Sequence, residues 1–478
     1  MSDRTIQSQK ESNGLLQEKL PLKSKLSFGG ATFANTIMSQ IAFAAITFYY
    51  NVKFGLSESF IAIAWIIFAA WNAFNDPLFG FIEDKTKSKY GRRIPYLRFG
   101  APIYGFLFIL VWYPLIGRDQ MGLFINLVII LFAFDTIYTI IGLITYSLPA
   151  EMTVSSKSRA NLMIFGSIFS TIGFLVSFTL PVLLLTGDKS TYIDPLFLIT
   201  MIILGIISAL IIFVSSFYIK ENKYTQIEET LGIFEGLKET LRNKSFIVFE
   251  IHNFLFLLAQ TILVTAVFYY ITFILQLQGF SSILPLLLFF LMVLFFTPVY
   301  GKLVAIFGLK KTNITSLLIT SIGFIVLFII GWTFITAIIA LILTGIGMSG
   351  IFLTSQALFA ETIDYDEIKT GKRRETTYAG INALITKPAI SIANFIFLAV
   401  IIIFGFQRAS NTQSATAQLG IMVGFALIPA IFILFSALAI KFFPLDGVAW
   451  NEQKSNLKKI HREKEDAYLK QIQEQERK

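Results

Sequence analysis

Apolar runs of twenty or more residues recur along the chain between short polar breaks. They cover residues 27–51, 56–83, 95–117, 121–150, 159–187, 193–219, 246–275, 282–306, 312–334, 335–364, 375–406 and 416–443. A helix of about 20 residues crosses roughly 30 Å of hydrocarbon, so the pattern predicts an all-α membrane protein with twelve transmembrane helices. Several runs exceed that length, which predicts tilt or extension beyond the bilayer. The longest polar interruption, 220–245 (KENKYTQIEETLGIFEGLKETLRNKS), separates six runs from six and reads as a linker helix. The organisation expected is an N-terminal segment 1–26, a six-helix bundle 27–219, the linker 220–245, a second six-helix bundle 246–443 and a polar tail 444–478. A faint echo relates the halves: Gly80 to Arg93 joins spans two and three, and GKLVAIFGLKK, Gly301 to Lys311, joins spans eight and nine.

Composition agrees with the pattern. The chain is 55% hydrophobic and 14% charged over 478 residues, with a mean hydropathy of +0.70, which excludes an ordinary soluble domain. With no cysteine there is no disulfide and no thiolate metal site. All but five of the 39 Lys and Arg fall in the termini, the linker or alternate loops; the exceptions are Lys53, Arg118, Lys189, Arg408 and Lys387. Positive loops stay in the cytoplasm, so both termini are expected there, in a multi-pass protein of the cell membrane. The net charge of +9 reads as this topology signal, and no nucleic-acid partner is expected. The start lacks a short apolar run with a cleavage site, so insertion through the chain's own helices is expected. There is no phosphate-cradling loop and no nucleophile elbow, so the chain is not expected to be an enzyme.

The stretch AAWNAFNDPLFGFIEDKTKSKYGRRIPYL, Ala69 to Leu97, places a charge among lipid-compatible residues. An ionisable side chain at a membrane-helix centre costs roughly 2.5–3.5 kcal/mol or more and marks function by default. Asn72, Asn75 and Asp76 stand at i, i+3 and i+4, hence on one helix face, and Pro77 frees a backbone carbonyl beside them. This oxygen-rich patch suits a monovalent hard cation or a proton held on the carboxylate, or else a structural hydrogen-bond cluster. Asp135 and Lys387 are the other deep charges, with Lys387 positioned to pair across a central cavity with Asp76 or Asp135. His252, beside Glu250 and Asn253 at the start of span seven, is expected at the interface and solvated. Gly80, Asp84, Lys85, Gly91, Arg92 and Arg93 resemble a stretched form of the loop signature of the major facilitator superfamily, whose parallel six-helix halves match the plan above. They read as a cytoplasmic gate, or simply as a positive-inside anchor.

Three stretches make the chain similar to the glycoside-pentoside-hexuronide:cation symporters, the melibiose permease family, over nearly its whole length. These are KLSFGGATFAN from Lys25, WNAFNDPLFGFIEDKTKSKYGRR from Trp71 and AETIDYDEIKTGKRRETTYAGINALITK from Ala360; YSLPAEM from Tyr146 is a fourth, looser one. The resemblance implies a cation site at Asn72, Asn75, Asp76 and Thr139, a coupling lysine at Lys387, and a cytoplasmic lock including Glu361, Asp364, Glu367 and Arg373. The family has an Asp at the position of Asn72, which leaves one carboxylate rather than two. Its sugar-ligating carboxylates fall on Thr36 and Gly142 and its arginine on Ser167, while aromatic platforms persist as Tyr146 and Phe352. Melibiose itself is therefore not the expected substrate; Asp135, Asn382 or Thr36 would supply polar contacts instead. The implied function is cation-coupled (Na⁺ or H⁺) symport of a sugar or glycoside-like solute by alternating access, with no cofactor beyond the coupling ion. The alternatives are a cation-coupled carrier of an amphiphile such as a lysophospholipid, or a non-transporting receptor on the same fold. Expected partners are the solute and membrane lipid, and the expected state is a monomer. The tail from Asn451 reads as a solvated helix.

Overall fold

The computed structural model of the chain describes residues 20–86, 88, 90–153, 156–186, 193–221, 239–371, 374–408, 410, 412–457 and 459–460. Most of the expected N-terminal segment, the middle of the linker and the end of the tail lie outside them. The described chain is helical: α1 (Leu22–Phe48), α2 (Glu58–Lys85), α3 (Ile94–Leu110), α4 (Gln120–Met152), α5 (Ser156–Leu185), α6 (Pro195–Tyr218), α7 (Lys244–Tyr269), α8 (Phe280–Phe307), α9 (Leu309–Ile330), α10 (Phe334–Thr370), α11 (Glu375–Thr386), α12 (Pro388–Ile403), α13 (Ala415–Met422) and α14 (Ile428–Ile440). A π-type turn extends α1 through Lys53, another extends α7 through Leu275, and a third joins α13 to α14. Among the described residues 11 helical stretches are long and apolar enough to cross a membrane, and the shorter α3 occupies the place of the third span. The apolar run there continues to residue 117, but the helix stops at Leu110. Val111 and Trp112 turn inward instead, and the Trp112 ring packs edge-on against Tyr49 and Phe197.

Helix starts follow local chemistry. The Ser57 hydroxyl accepts from the Phe60 amide at the head of α2, Asp194 from Leu196 at α6 and Asn243 from Ser245 and Phe246 at α7, each satisfying an amide the helix leaves open. The C-terminus of α10 closes at Gly371, whose φ of 70° is the left-handed conformation suited to glycine. Span eleven is broken: Pro388 cannot donate a backbone hydrogen bond, so α11 ends at Thr386 and α12 begins anew, with Lys387 at the joint.

Packing obeys membrane rules. On α6 the apolar stripe Ile199, Ile203, Ile206, Leu210 and Val214 is exposed, facing lipid, while Met201, Gly205, Ser208, Ile212 and Ser215 are buried. Small residues at that inner face let helices approach closely; a Cβ on Gly105 of α3 would lie 2.7 Å from the Gly205 carbonyl oxygen of α6. In the first half α1 packs on α5 and α6, α3 on α6, and α2 on α4. In the second, α10 packs on α8 and α9, and α14 on α7 and α9. The halves meet where α2 lies against α11 and α12, α5 against α8, and α1 against α7.

Candidate functional site

The deepest polar cluster lies where α2, α4 and the α11–α12 joint meet. Trp71 of α2 stacks on Phe132 of α4 at 5.1 Å, which sets the register of the two helices. One turn further, Asn75 Nδ2 donates to Asp135 Oδ2 at 2.6 Å and to Thr139 Oγ1 at 2.9 Å. Lys387 reaches in from the other half: its Nζ donates to Thr139 Oγ1 at 2.9 Å and stands 5.4 Å over the Tyr138 ring. Asn72 Nδ2 donates to the Lys387 carbonyl at 3.5 Å. Asn72, Asn75, Asp135 and Thr139 are all at least 98% buried. The carbonyl oxygens of the Asn72 and Asn75 side chains are buried with no hydrogen-bond partner, a state that costs about 1–3 kcal/mol per group.

The site thus offers oxygen donors of the kind hard monovalent cations take. No group of three or more His, Cys, Asp or Glu that could hold a tighter metal occurs among the described residues. Three expected members, Asn72, Asn75 and Thr139, are brought together here, with Lys387 on the same hydroxyl. The side chain of Asp76 lies outside the described residues, although α2 runs unbroken through it. Asp135, expected either opposite Lys387 or against substrate, is part of this cluster through Asn75.

The two ends of the molecule are built differently. At the end bearing the α2–α3 loop, Arg93 pairs with Glu83 at 2.6 Å and with Glu151 at 2.8 Å, and Arg92 pairs with Glu151 at 2.7 Å. Glu221 accepts the backbone amides of Arg92, Arg93 and Ile94 at 2.8, 2.7 and 3.1 Å, capping α3. In the second half Arg374 grips Asp366 in a two-pronged pair of 2.8 and 2.5 Å, and these hydrogen bonds raise the Arg374 pKa further above its usual value. Lys454, from the tail, reaches Glu361 at 2.5 Å, and Trp450 packs on Tyr365. The start of the tail is helical and mostly exposed, as expected, and Trp450 and Lys454 hold it to α10. Each of these ion pairs stays within one half.

At the opposite end the bonds cross between halves. Thr47 Oγ1 donates to Asn394 Oδ1 at 2.8 Å, Tyr269 OH to Asn51 Oδ1 at 3.0 Å, and Arg408 reaches Glu58 at 3.2 Å and the Gly55 carbonyl at 2.9 Å. Phe48 stacks on Phe268 at 5.5 Å.

Of the expected gate residues, Arg92, Arg93 and Glu361 are in ion pairs, Asp364 and Glu367 are engaged, and Arg373 and the side chain of Asp84 lie outside the described residues. The partners Glu83, Glu151, Glu221 and Asp366 were not singled out, although all but Glu221 lie inside the stretches that carry the family resemblance. The expected substrate residues do not form one cluster. Thr36 is buried between α1 and α5, its hydroxyl 3.3 Å from that of Ser170. Tyr146, 64% exposed, stands on the α4 stripe that carries Asp135 and Thr139. Phe352 packs edge-on against Phe256 of α7, and Asn382 meets Asn253 of α7 at 3.0 Å. His252, expected at the interface, is fully buried, with its Nδ1 2.7 Å from the Ser436 hydroxyl: helix α14 covers it.

Comparison with known proteins accounts for this architecture. The family model described as MFS/sugar transport protein matches residues 27–447. The chain is similar to the uncharacterized symporter YnaJ of Bacillus subtilis, 26% identical over 90% of this chain and 93% of that one. It is similar also to an isoprimeverose transporter of Lactiplantibacillus pentosus, 22% identical over 90% of each. Among solved structures, a D-xylose-proton symporter superposes with a TM-score of 0.63 at 15% identity, covering 89% of this chain and 98% of that one, a likeness of fold. The chain is a membrane transporter belonging to the MFS/sugar transport protein family, within the glycoside-pentoside-hexuronide:cation symporters of the major facilitator superfamily.

Proposed function

We propose that this transporter couples a sugar or glycoside-like solute to a cation, Na⁺ or H⁺, by alternating access. The observation that carries the reading is the pair of buried, partnerless amide oxygens of Asn72 and Asn75 beside Asp135 and Thr139. A cation supplies what those oxygens lack. It also competes with Lys387, since two unit positive charges about 4 Å apart repel by about 4 kcal/mol at an effective dielectric of 20. Cation arrival on the first half therefore loosens the Lys387 contact from the second, and links ion binding to movement between halves. The Asp76 carboxylate completes the site on the strength of the family resemblance.

With the basic end in the cytoplasm, bonds across the halves close the outer face while the inner ion pairs remain within each half, which is the arrangement of an inward-facing carrier. A monomer in the cell membrane completes this reading. The similarity to an isoprimeverose transporter favours a sugar-containing solute. An amphiphile is the second reading, favoured by an apolar chamber between halves where Phe174 and Phe178 face Phe289, Phe290 and Phe352, closed here to about 30 Å³.

The test is a titration of the purified chain with isoprimeverose in the presence of Na⁺, Li⁺ or protons. Linkage requires the ion and the solute to raise each other's affinity by the same factor. The ion is expected to raise thermal stability in the wild type and to lose that effect in Asn75→Ala. If no ion changes either stability or solute binding, the coupled-carrier reading fails.

A further inference from the structure

A second buried carboxylate lies far along the chain from the Asn75 cluster. Glu250, in the second turn of α7, is 3% exposed, and it forms no ion pair among the described residues. Its neighbours are amides. One terminal atom of the Asn382 side chain stands 3.0 Å from Asn253 Nδ2, 3.0 Å from Glu250 Oε1 and 3.2 Å from Glu250 Oε2.

That placement has two chemical solutions. With oxygen in this position, Asn382 accepts from Asn253, as drawn, and faces two carboxylate oxygens it can accept from only if Glu250 carries a proton. With the amide turned, its nitrogen donates to an ionised Glu250, and then it confronts the Asn253 nitrogen, which must turn as well. The protonation of Glu250 therefore selects which way two amides point. The proton is favoured on general grounds, because a buried carboxylate without a cationic partner carries a large desolvation penalty that neutralisation removes.

Most other ionisable groups on α7 and the helices packed on it have interactions of their own. His252, on α7 itself, is held by Ser436. On α10, Glu361 is held by Lys454 and Asp366 by Arg374, Tyr365 packs on Trp450, and Asp364 and Glu367 have interactions of their own. On α11 and its joint, Tyr378 bonds Asn243 and Lys387 bonds Thr139; the Glu375 side chain lies outside the described residues. Helices α1, α5, α12 and α14 carry no Asp, Glu, His or Tyr, and their only charges are Lys23, Lys25, Lys157 and Arg159 in the first turns of α1 and α5.

We infer that Glu250, with Asn253 and Asn382 as positioning residues, is a proton-binding site in the second half, separate from the oxygen cluster in the first. The carboxylate takes a proton from water, becoming COOH, and hydrogen-bonds through it to Asn382 Oδ1; release returns the proton to water and reverses both amides. Because Asn382 lies on α11, five residues before Lys387 at the α11–α12 joint, the switch stands beside the element that contacts the first half. Its role in coupling rests on the carrier reading above; the site itself does not.

Infrared difference spectroscopy of the detergent-solubilised full chain, with no solute present, separates the two. Near neutral pH the wild type is expected to show a protonated-carboxyl stretch that shifts on deuterium exchange and is lost in Glu250→Gln. In Asn382→Ala the band should move to higher frequency, because its acceptor is gone. Identical carboxyl regions in wild type and Glu250→Gln across the neutral range would overturn the site, and a band unmoved in Asn382→Ala would overturn the amide switch. Neither result would touch the cation site around Asn75.

Discussion

Among the described residues, the ion pairs at one end of this molecule stay within each half, while at the other end bonds join the halves. The self-bonded end uses buried ion pairs: Arg93 joins the end of α2, through Glu83, to the end of α4, through Glu151, and Arg374 ties the α11 start to α10. The shared end uses mostly neutral hydrogen bonds, Thr47 with Asn394 and Asn51 with Tyr269. Interhelical hydrogen bonds of that kind are worth only about 0.6 kcal/mol on average, 1.7 at most. The difference teaches a division of labour. Strong pairs make each half a stiff body, and a few weak bonds across them make a contact that can open on a working timescale.

The largest effect should come from breaking the stiff end. Arg93→Ala leaves Glu83, with a fully buried side chain, and Glu151 without the guanidinium between them. Removing one partner from a buried ion pair destabilises by about 3–5 kcal/mol. Arg92→Ala should do far less, since that side chain is 23% exposed and meets Glu151 alone among its described ion pairs. Thermal unfolding in detergent checks this: a clear loss for Arg93→Ala and a small one for Arg92→Ala are expected. Equal losses would mean that burial does not set the strength of this end.

Much of this architecture was legible in the chain, and the misses have physical causes. Twelve apolar runs marked the helices because a lipid-facing helix must be apolar over its whole crossing. Span three was read too long, since Val111 and Trp112 are as apolar as a helix core but serve as packing for a turn. Asn72 and Asn75 were legible from their spacing on one face. Asp135 was legible as a deep charge but not its partner, with Lys387 and substrate both open, because the distance between two helices is not written in either. The same limit hid Glu221, a loop residue that caps α3 from 127 positions away, and the burial of His252 by α14.

The shared end should respond more gently. Asn394 Oδ1 is the common acceptor for Thr47 of the first half and Thr265 of the second, so Asn394→Ala removes one bond across the halves and one support for it. A loss of about 1 kcal/mol corresponds to roughly a fivefold shift toward an opening of this end. The chain has no cysteine, so a single one introduced at Phe48, which is packed on Phe268, reports alone. Its maleimide labelling should quicken about as much when Asn394→Ala is added. Unchanged labelling would show that the aromatic contact, rather than the hydrogen bonds, holds this end.

The smallest effect belongs to Arg408 and Glu58, an ion pair across the halves. Arg408 is 33% exposed in its side chain and meets Glu58 at 3.2 Å, and exposed pairs of this sort contribute about 0–1 kcal/mol. Glu58 has a second duty, accepting from Asn51 Nδ2 at 3.0 Å, and Asn51 in turn accepts from Tyr269. Glu58→Gln should therefore open the end more than Arg408→Gln does, although both remove the same pair. In a double-mutant cycle on Phe48→Cys labelling, the coupling between the two should be a few tenths of a kcal/mol and should shrink as salt screens it. A coupling of several kcal/mol, insensitive to salt, would make this pair a lock like Arg93 and would erase the contrast between the two ends.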